Sequence, residues 1–254
     1  MRVRIIGKTR FFGSAASAIT EGVWDEDPSG TDAANLAEFA GRACYQSWTR
    51  PNPETATNEG YLDHIIEVEH NTVLEHGTMS FYIDQVSRSF THELIRHRHN
   101  SYSQLSQRFV LQGKPEVGKD PFVTPQLFKY SDVAGEILKR AWSDAMDHYN
   151  ALMGVANALL SETEEGTSRK KEAREAARCV LPNMTPTAIV VTGNHSAWRD
   201  FLKKRGTLQA DAEIREVACL IYHHLRFNEP NLYRDFTRMI DDRGRRYLVH
   251  NAQN

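Results

Sequence analysis

The chain has 254 residues, with 31 Lys and Arg against 33 Asp and Glu and a formal net charge of −2. That near-balance excludes a broadly basic nucleic-acid coat, and the length allows a sizeable core in one large domain or two small ones. Three cysteines (Cys44, Cys179 and Cys219) without metal or disulfide spacing point to a reducing, cytoplasmic setting, and neither a signal peptide nor an apolar run of membrane-spanning length is expected.

Residues 3–7 read as a short strand, and 22–30 as an acidic, turn-rich loop. Asp32 can cap a helix running to about Gln46, with Leu36, Phe39, Ala40 and Ala43 as its apolar stripe. Residues 48–57 hold two prolines and read as loop, and a helix follows over about 60–68. Glu69–His76 carries two histidines and two acids, but not in the His-Glu-x-x-His order of a one-helix zinc site, so no metal is expected there. Residues 78–84 alternate Met79, Phe81 and Ile83 with polar partners, as a half-buried strand does.

Residues 86–95 predict a helix with Phe90 and Leu94 on its apolar face and Arg88, His92 and Arg96 as a polar stripe. It should end near 97–99, turn over 100–103, and lead into an extended stretch over 105–111. Residues 110–125 look irregular. A long helix should span 133 to about 160, with Ile137, Ala141, Met153, Ala156 and Leu160 in the core. An acidic, flexible connection over 162–167 precedes a charged helix over 169–180, stopped by Pro182. Residues 187–192 form a buried strand that turns at 193–196 into a helix over 197–205, closed by Gly206. A final amphipathic helix over 209–227 should bury Ile214, Val217, Ala218, Ile221 and Leu225; the polar tail from Asn228 suggests no role.

The most informative stretch is Arg96–Arg108, with three arginines, two histidines and no carboxylate. Such a run is not a core, because arginine is rarely buried unpaired. Nor is it an ordinary solvated face, where Lys and Glu would dominate. Forked donors beside hydroxyls suit bidentate capture of phosphate.

With Arg96, His97, Arg98, Ser101, Ser106 and Arg108 at fixed gaps, this stretch resembles the signature of the flavin-dependent thymidylate synthases, with Ser103 where the pattern has Asn. The similarity extends over about residues 63–216. It implies an α+β fold, with a mixed, largely antiparallel sheet and flanking helices, in a single domain that assembles into a tetramer with sites at subunit boundaries. It also implies synthesis of dTMP from dUMP, with methylenetetrahydrofolate as carbon donor, FAD as redox carrier and NADPH as reductant.

Residue by residue, the resemblance assigns dUMP to Arg88, Glu93, Arg96, Gln104, Leu105, Ser106, Gln107, Arg108, Arg178 and Arg205, with Arg88 reaching in from a neighbouring subunit. It assigns FAD to Thr72, Arg96, His97, Arg98, Gln104, Asn194, His195, Ser196 and Asp200. Asp200 departs from the His or Asn usual there and cannot donate a hydrogen bond when ionised. Arg205 is the candidate catalytic residue, a cation that stabilises negative charge on the uracil ring. No cysteine falls in the motif, so no sulfur nucleophile is expected; Cys44 and Cys219 read as small core residues. Two other readings fit the bare residues: a non-catalytic RNA or nucleotide module using Tyr102 and Phe109 for stacking, and a metal-dependent hydrolase using the histidines of 92–99.

Overall fold

The computed structural model describes residues 1–50, 52–113, 120–160 and 166–251. In chain order its elements are β1 (Arg2–Lys8), α1 (Gly13–Ile19), α2 (Asp32–Tyr45), α3 (Asn58–Glu67), β2 (Thr78–Ser87), α4 (Arg88–Leu94) and β3 (Ser101–Gln104). Then come α5 (Asp132–Leu159), α6 (Gly166–Ala177), β4 (Pro186–Asn194), α7 (His195–Arg205), α8 (Ala212–Asn228), β5 (Phe236–Ile240) and β6 (Arg246–His250). Short 3-10 turns join several of them. The four main strands lie in the order β1-β2-β4-β3, and β5 pairs with β6 separately. The fold is mixed helix and antiparallel sheet, as expected. Among the described residues, no helix is long and apolar enough to cross a membrane.

The chain packs as two compact units, neither a continuous stretch. The first takes residues 1–2, 83–94 and 103–189; the second takes 3–82, 95–102 and 190–254.

In the second unit the core follows the alternation of β2, where Met79 and Phe81 are fully buried. Trp198 of α7 meets Phe81 edge-on at 5.1 Å and donates its indole N–H to the Met79 carbonyl at 3.0 Å. Helix α8 buries Ile214, Val217, Ala218, Ile221 and Leu225, the five residues expected. Helix α2 is capped by Thr31, whose hydroxyl accepts from the Ala34 N–H, rather than by Asp32. Its buried face is also not the expected stripe: Leu36, Phe39, Ala40 and Ala43 are only half-buried, while Ala34, Ala37, Glu38, Gly41 and Arg42 are fully buried. An ion pair reverses the pattern. Arg42 Nε donates to Glu38 at 2.7 Å, and Asn58 Nδ2 donates to the other Glu38 oxygen at 3.0 Å, so a charged pair sits where an apolar stripe would.

The tail that looked idle in sequence closes the same unit. Strands β5 and β6 pair from Phe236↔His250 to Ile240↔Arg246. The buried Arg199 of α7 donates to both oxygens of Asp235, at 2.7 and 2.5 Å, and His250 Nε2 lies 2.8 Å from the same carboxylate. The Leu248 N–H donates to the Gly206 carbonyl at 2.8 Å, and a Cβ on Gly206 would come within 2.7 Å of the Leu248 side chain. The hairpin therefore braces the Arg205 end of α7.

In the first unit α4 starts as β2 ends, with the Ser87 hydroxyl accepting from the Phe90 N–H at 3.0 Å. Phe90 and Leu94 are buried as expected. Helix α5 has the expected extent, capped by Ser131, but of its residues only Tyr149 is fully buried. Ile137 and Ala141 are exposed, contrary to expectation, and Met153, Ala156 and Leu160 are half-buried. The helix packs mainly along α6, through Ala173 and Ala177, so one stripe suffices for that contact. Residues 162–165 of the expected flexible connection lie outside the described residues; Gly166 and Thr167 open α6 instead.

Candidate active site

The motif does not fold as its spacing suggested. Helix α4 ends at Leu94, residues 95–100 turn, and the strand is Ser101–Gln104. The expected extended stretch, 105–111, is a turn instead. Its reason is local: the Ser106 hydroxyl accepts from the Arg108 N–H at 3.3 Å, and the Ser106 carbonyl accepts from the N–H groups of Phe109 and Val110. Alternation of Ser106 and Arg108 was thus misread as a strand period. This fold divides the motif: residues 96–102 belong to the second unit and 103–108 to the first.

In the first unit, four arginines converge in sequence terms on α4, the 105–110 turn and α6. Arg88 donates to the Leu105 carbonyl at 3.2 Å, while its buried Nε has no partner. Burial, and then the like charge of Arg178, hold its pKa below the ordinary arginine value. Arg178 begins the 3-10 turn after α6 and is exposed, and among the described residues its side chain makes no hydrogen bond or ion pair. Arg108 pairs with Glu175 at 2.5 Å, and Arg174 donates to the Phe109 carbonyl at 2.6 Å; both have a buried Nε without a partner. Gln104 Nε2 donates to the Thr91 hydroxyl at 2.9 Å, and the Leu105 N–H to the Ala188 carbonyl, which pins the turn to α4 and β4. Glu93, Ser106 and Gln107 are half-buried and Leu105 is exposed. A surplus of guanidinium groups with unused donors is an incomplete cluster in itself. An anion would complete it.

In the second unit, Thr72 sits exposed on the 3-10 turn at 71–75. Arg96 and Arg98 are exposed and, among the described residues, form no hydrogen bond or ion pair. The ring of His97 between them is turned inward. It packs edge-on against Phe201 at 5.1 Å, and Nε2 accepts from Arg205 Nε–H at 3.1 Å. Asn194 caps α7, its Oδ1 accepting from the Ala197 N–H at 2.7 Å. Ser196 is half-buried beside it. The His195 ring is buried, with Nδ1 2.7 Å from the Tyr233 hydroxyl and Nε2 without a partner, and burial followed by Arg199 pushes its pKa down to about 3. A neutral buried imidazole there positions Tyr233; any ligand contact from this residue falls to its backbone. Asp200 pairs with Lys204 at 2.7 Å and lies 3.7 Å from His97 Nδ1.

Two contacts were missed in the sequence. Gly193 must lack a side chain, because a Cβ there would come 2.3 Å from Asn100 Oδ1. A glycine directly after a buried strand was the available signal for that close approach. The hairpin's support of α7 had no local signal at all.

The comparisons decide the family. A model described as thymidylate synthase complementing protein matches residues 29–231. Flavin-dependent thymidylate synthases from Mycobacterium tuberculosis are 48% identical over 236 residues, covering 93% of this chain and 90% of theirs. The chain belongs to the flavin-dependent thymidylate synthase family. The Mycobacterium marinum member is 47% identical over the same share of the chain. A crystal structure of thymidylate synthase X from Helicobacter pylori with FAD and dUMP superposes with a TM-score of 0.62 at 19% identity, covering 92% of this chain and 98% of that one. At that identity the likeness speaks for the fold. Family membership makes the chain an enzyme and sets aside the RNA-module and metal-hydrolase readings.

Proposed function

We propose that the protein makes dTMP from dUMP, with methylenetetrahydrofolate as carbon donor, FAD as redox carrier and NADPH as reductant. The observation that carries this reading is the set of guanidinium groups with unused donors: Arg178, Arg88 and Arg108 for a nucleotide phosphate, Arg96 and Arg98 for an anionic dinucleotide. The relatives' shared name supports it. On this reading Arg88, Arg108 and Arg178 bind the phosphate, while Glu93, Gln104, Leu105, Ser106 and Gln107 orient the nucleoside. Arg96 and Arg98 flank His97 and, with Thr72, Gln104, Asn194, His195, Ser196 and Asp200, form the cofactor's surroundings. Reduced flavin, when bound, supplies the hydride. Arg205 stabilises the negative charge that the uracil ring gains as its carbon attacks the methylene group. The working enzyme is a cytoplasmic homotetramer with Arg88 supplied across a subunit boundary.

The test is direct. The protein is expected to purify yellow, or to turn yellow and quench flavin fluorescence on titration with FAD. A colourless protein without flavin binding would remove the proposal.

The reaction needs no sulfur nucleophile. Cys219 is buried and its thiol is pushed up to about 11, chiefly by that burial, so it is poorly nucleophilic. Cys44, expected in a core, is exposed in the last turn of α2. Cys179 is exposed in the turn beside Arg178. A variant with Cys44→Ser, Cys179→Ser and Cys219→Ala, once shown to fold and bind flavin, is expected to keep turnover within about tenfold, or about 1.4 kcal/mol in the barrier. Loss of all turnover in folded Cys179→Ser protein would reopen the nucleophile question.

A further inference from the structure

Asp200 stands where an ionised side chain has no hydrogen to give a cofactor, yet its place on α7 is well defined. It lies one helical turn before Lys204, with carboxylate oxygens 2.7 and 2.9 Å from the Lys204 ammonium, and it faces His97 Nδ1 at 3.7 Å. The His97 side chain is 7% exposed. It is held from three further directions: Phe201 in an edge-on ring contact, Arg205 at Nε2, and the Tyr102 hydroxyl donating to its backbone carbonyl at 2.7 Å.

The hydrogen bond from Arg205 settles where the imidazole proton must be. Arginine can only donate, so Nε2 must be the bare nitrogen and the neutral ring carries its proton on Nδ1. The other tautomer would set two N–H groups against each other. The carboxylate on the Nδ1 side favours the arrangement that is needed. Burial, and then the charges of Arg205 and Lys204, hold the ring below the ordinary histidine pKa, and Asp200 works against them by favouring the charged form.

We propose that Asp200 is a positioning residue that fixes His97 as the Nδ1–H tautomer and thereby fixes the guanidinium of Arg205. The inference rests on the proposed role of Arg205. The buried ring transmits the position of one α7 side chain to another five residues on. Lys204 holds the Asp200 carboxylate in place beside the ring.

The test uses full-length protein labelled with 15N-histidine, with His97 assigned by its loss in His97→Gln. The parent is expected to show His97 protonated on Nδ1. In Asp200→Asn, a share of Nε2–H tautomer appears and the ring's titration midpoint moves to lower pH, since a favouring charge is gone. In turnover, Asp200→Asn is expected to lose about 10- to 100-fold in kcat, with the KM for dUMP within about threefold, and Asp200→Glu to recover most of it. An Nε2–H ring in the parent, or an unchanged His97 spectrum and midpoint in Asp200→Asn, overturns the proposal. A changed ring with unchanged kcat overturns its link to Arg205. A parent that makes no dTMP overturns the functional reading instead, and the spectra still judge the tautomer.

Discussion

Replacing Arg178 by alanine is expected to weaken dUMP binding about 10- to 150-fold, the equivalent of about 1.5–3 kcal/mol for one charge-assisted contact, while leaving flavin content unchanged. The fold should not suffer. Arg178 is exposed, forms no ion pair among the described residues, and only depresses its neighbour Arg88 by repulsion. Its loss relieves that strain, so thermal stability without nucleotide should hold or rise as nucleotide affinity falls. Arg108→Ala is expected to cost at least as much affinity, for a different reason: it strands the Glu175 carboxylate beside the site, where it repels phosphate. Isothermal titration with dUMP, and with deoxyuridine as the phosphate-free control, checks both. Unchanged dUMP affinity in either variant refutes the phosphate role of that arginine.

The second large effect is expected at Arg205. Arg205→Lys should keep the fold and the flavin yet lose about 100- to 1000-fold in kcat, the scale seen when one preorganised donor to a developing charge is removed. Lysine keeps the charge but has no Nε–H on its stem. It cannot donate to His97 Nε2 and still present a planar pair of donors from the same fork. Stopped-flow turnover with the flavin spectrum as loading control measures this, and equal activity in the lysine variant would mean that a point charge is enough.

Where hydrophobic periodicity and local stops governed the chain, sequence reading placed the elements well. The alternation of Met79, Phe81 and Ile83, the five buried residues of α8, and the Pro182 stop are cases of this. It failed where a polar interaction replaced an apolar one. The Glu38–Arg42 pair moved the buried face of α2, and the Ser106 turn imitated a strand. In the site, residue types pointed to a phosphate cluster because surplus arginines are visible in composition. Which of them lacked partners was not visible, since Glu175 lies 67 residues (175 − 108) from the arginine it neutralises. The inward turn of His97 was hidden for the same reason: its partners Asp200 and Arg205 come from a helix far along the chain.

The β5–β6 hairpin also orders events during synthesis. Arg246 is added 41 residues after Arg205 (246 − 205), a delay of about 2–8 s at bacterial-to-eukaryotic elongation speeds of about 5–20 residues per second. Until residue 235 is added, Arg199 has no Asp235 carboxylate, and a guanidinium that is buried in the finished unit has no counter-charge to enter with. The nascent chain must therefore keep the Arg199 side of α7 open to water until Asp235 is made. A message cut short before codon 235 would leave Arg199 without its carboxylate partner.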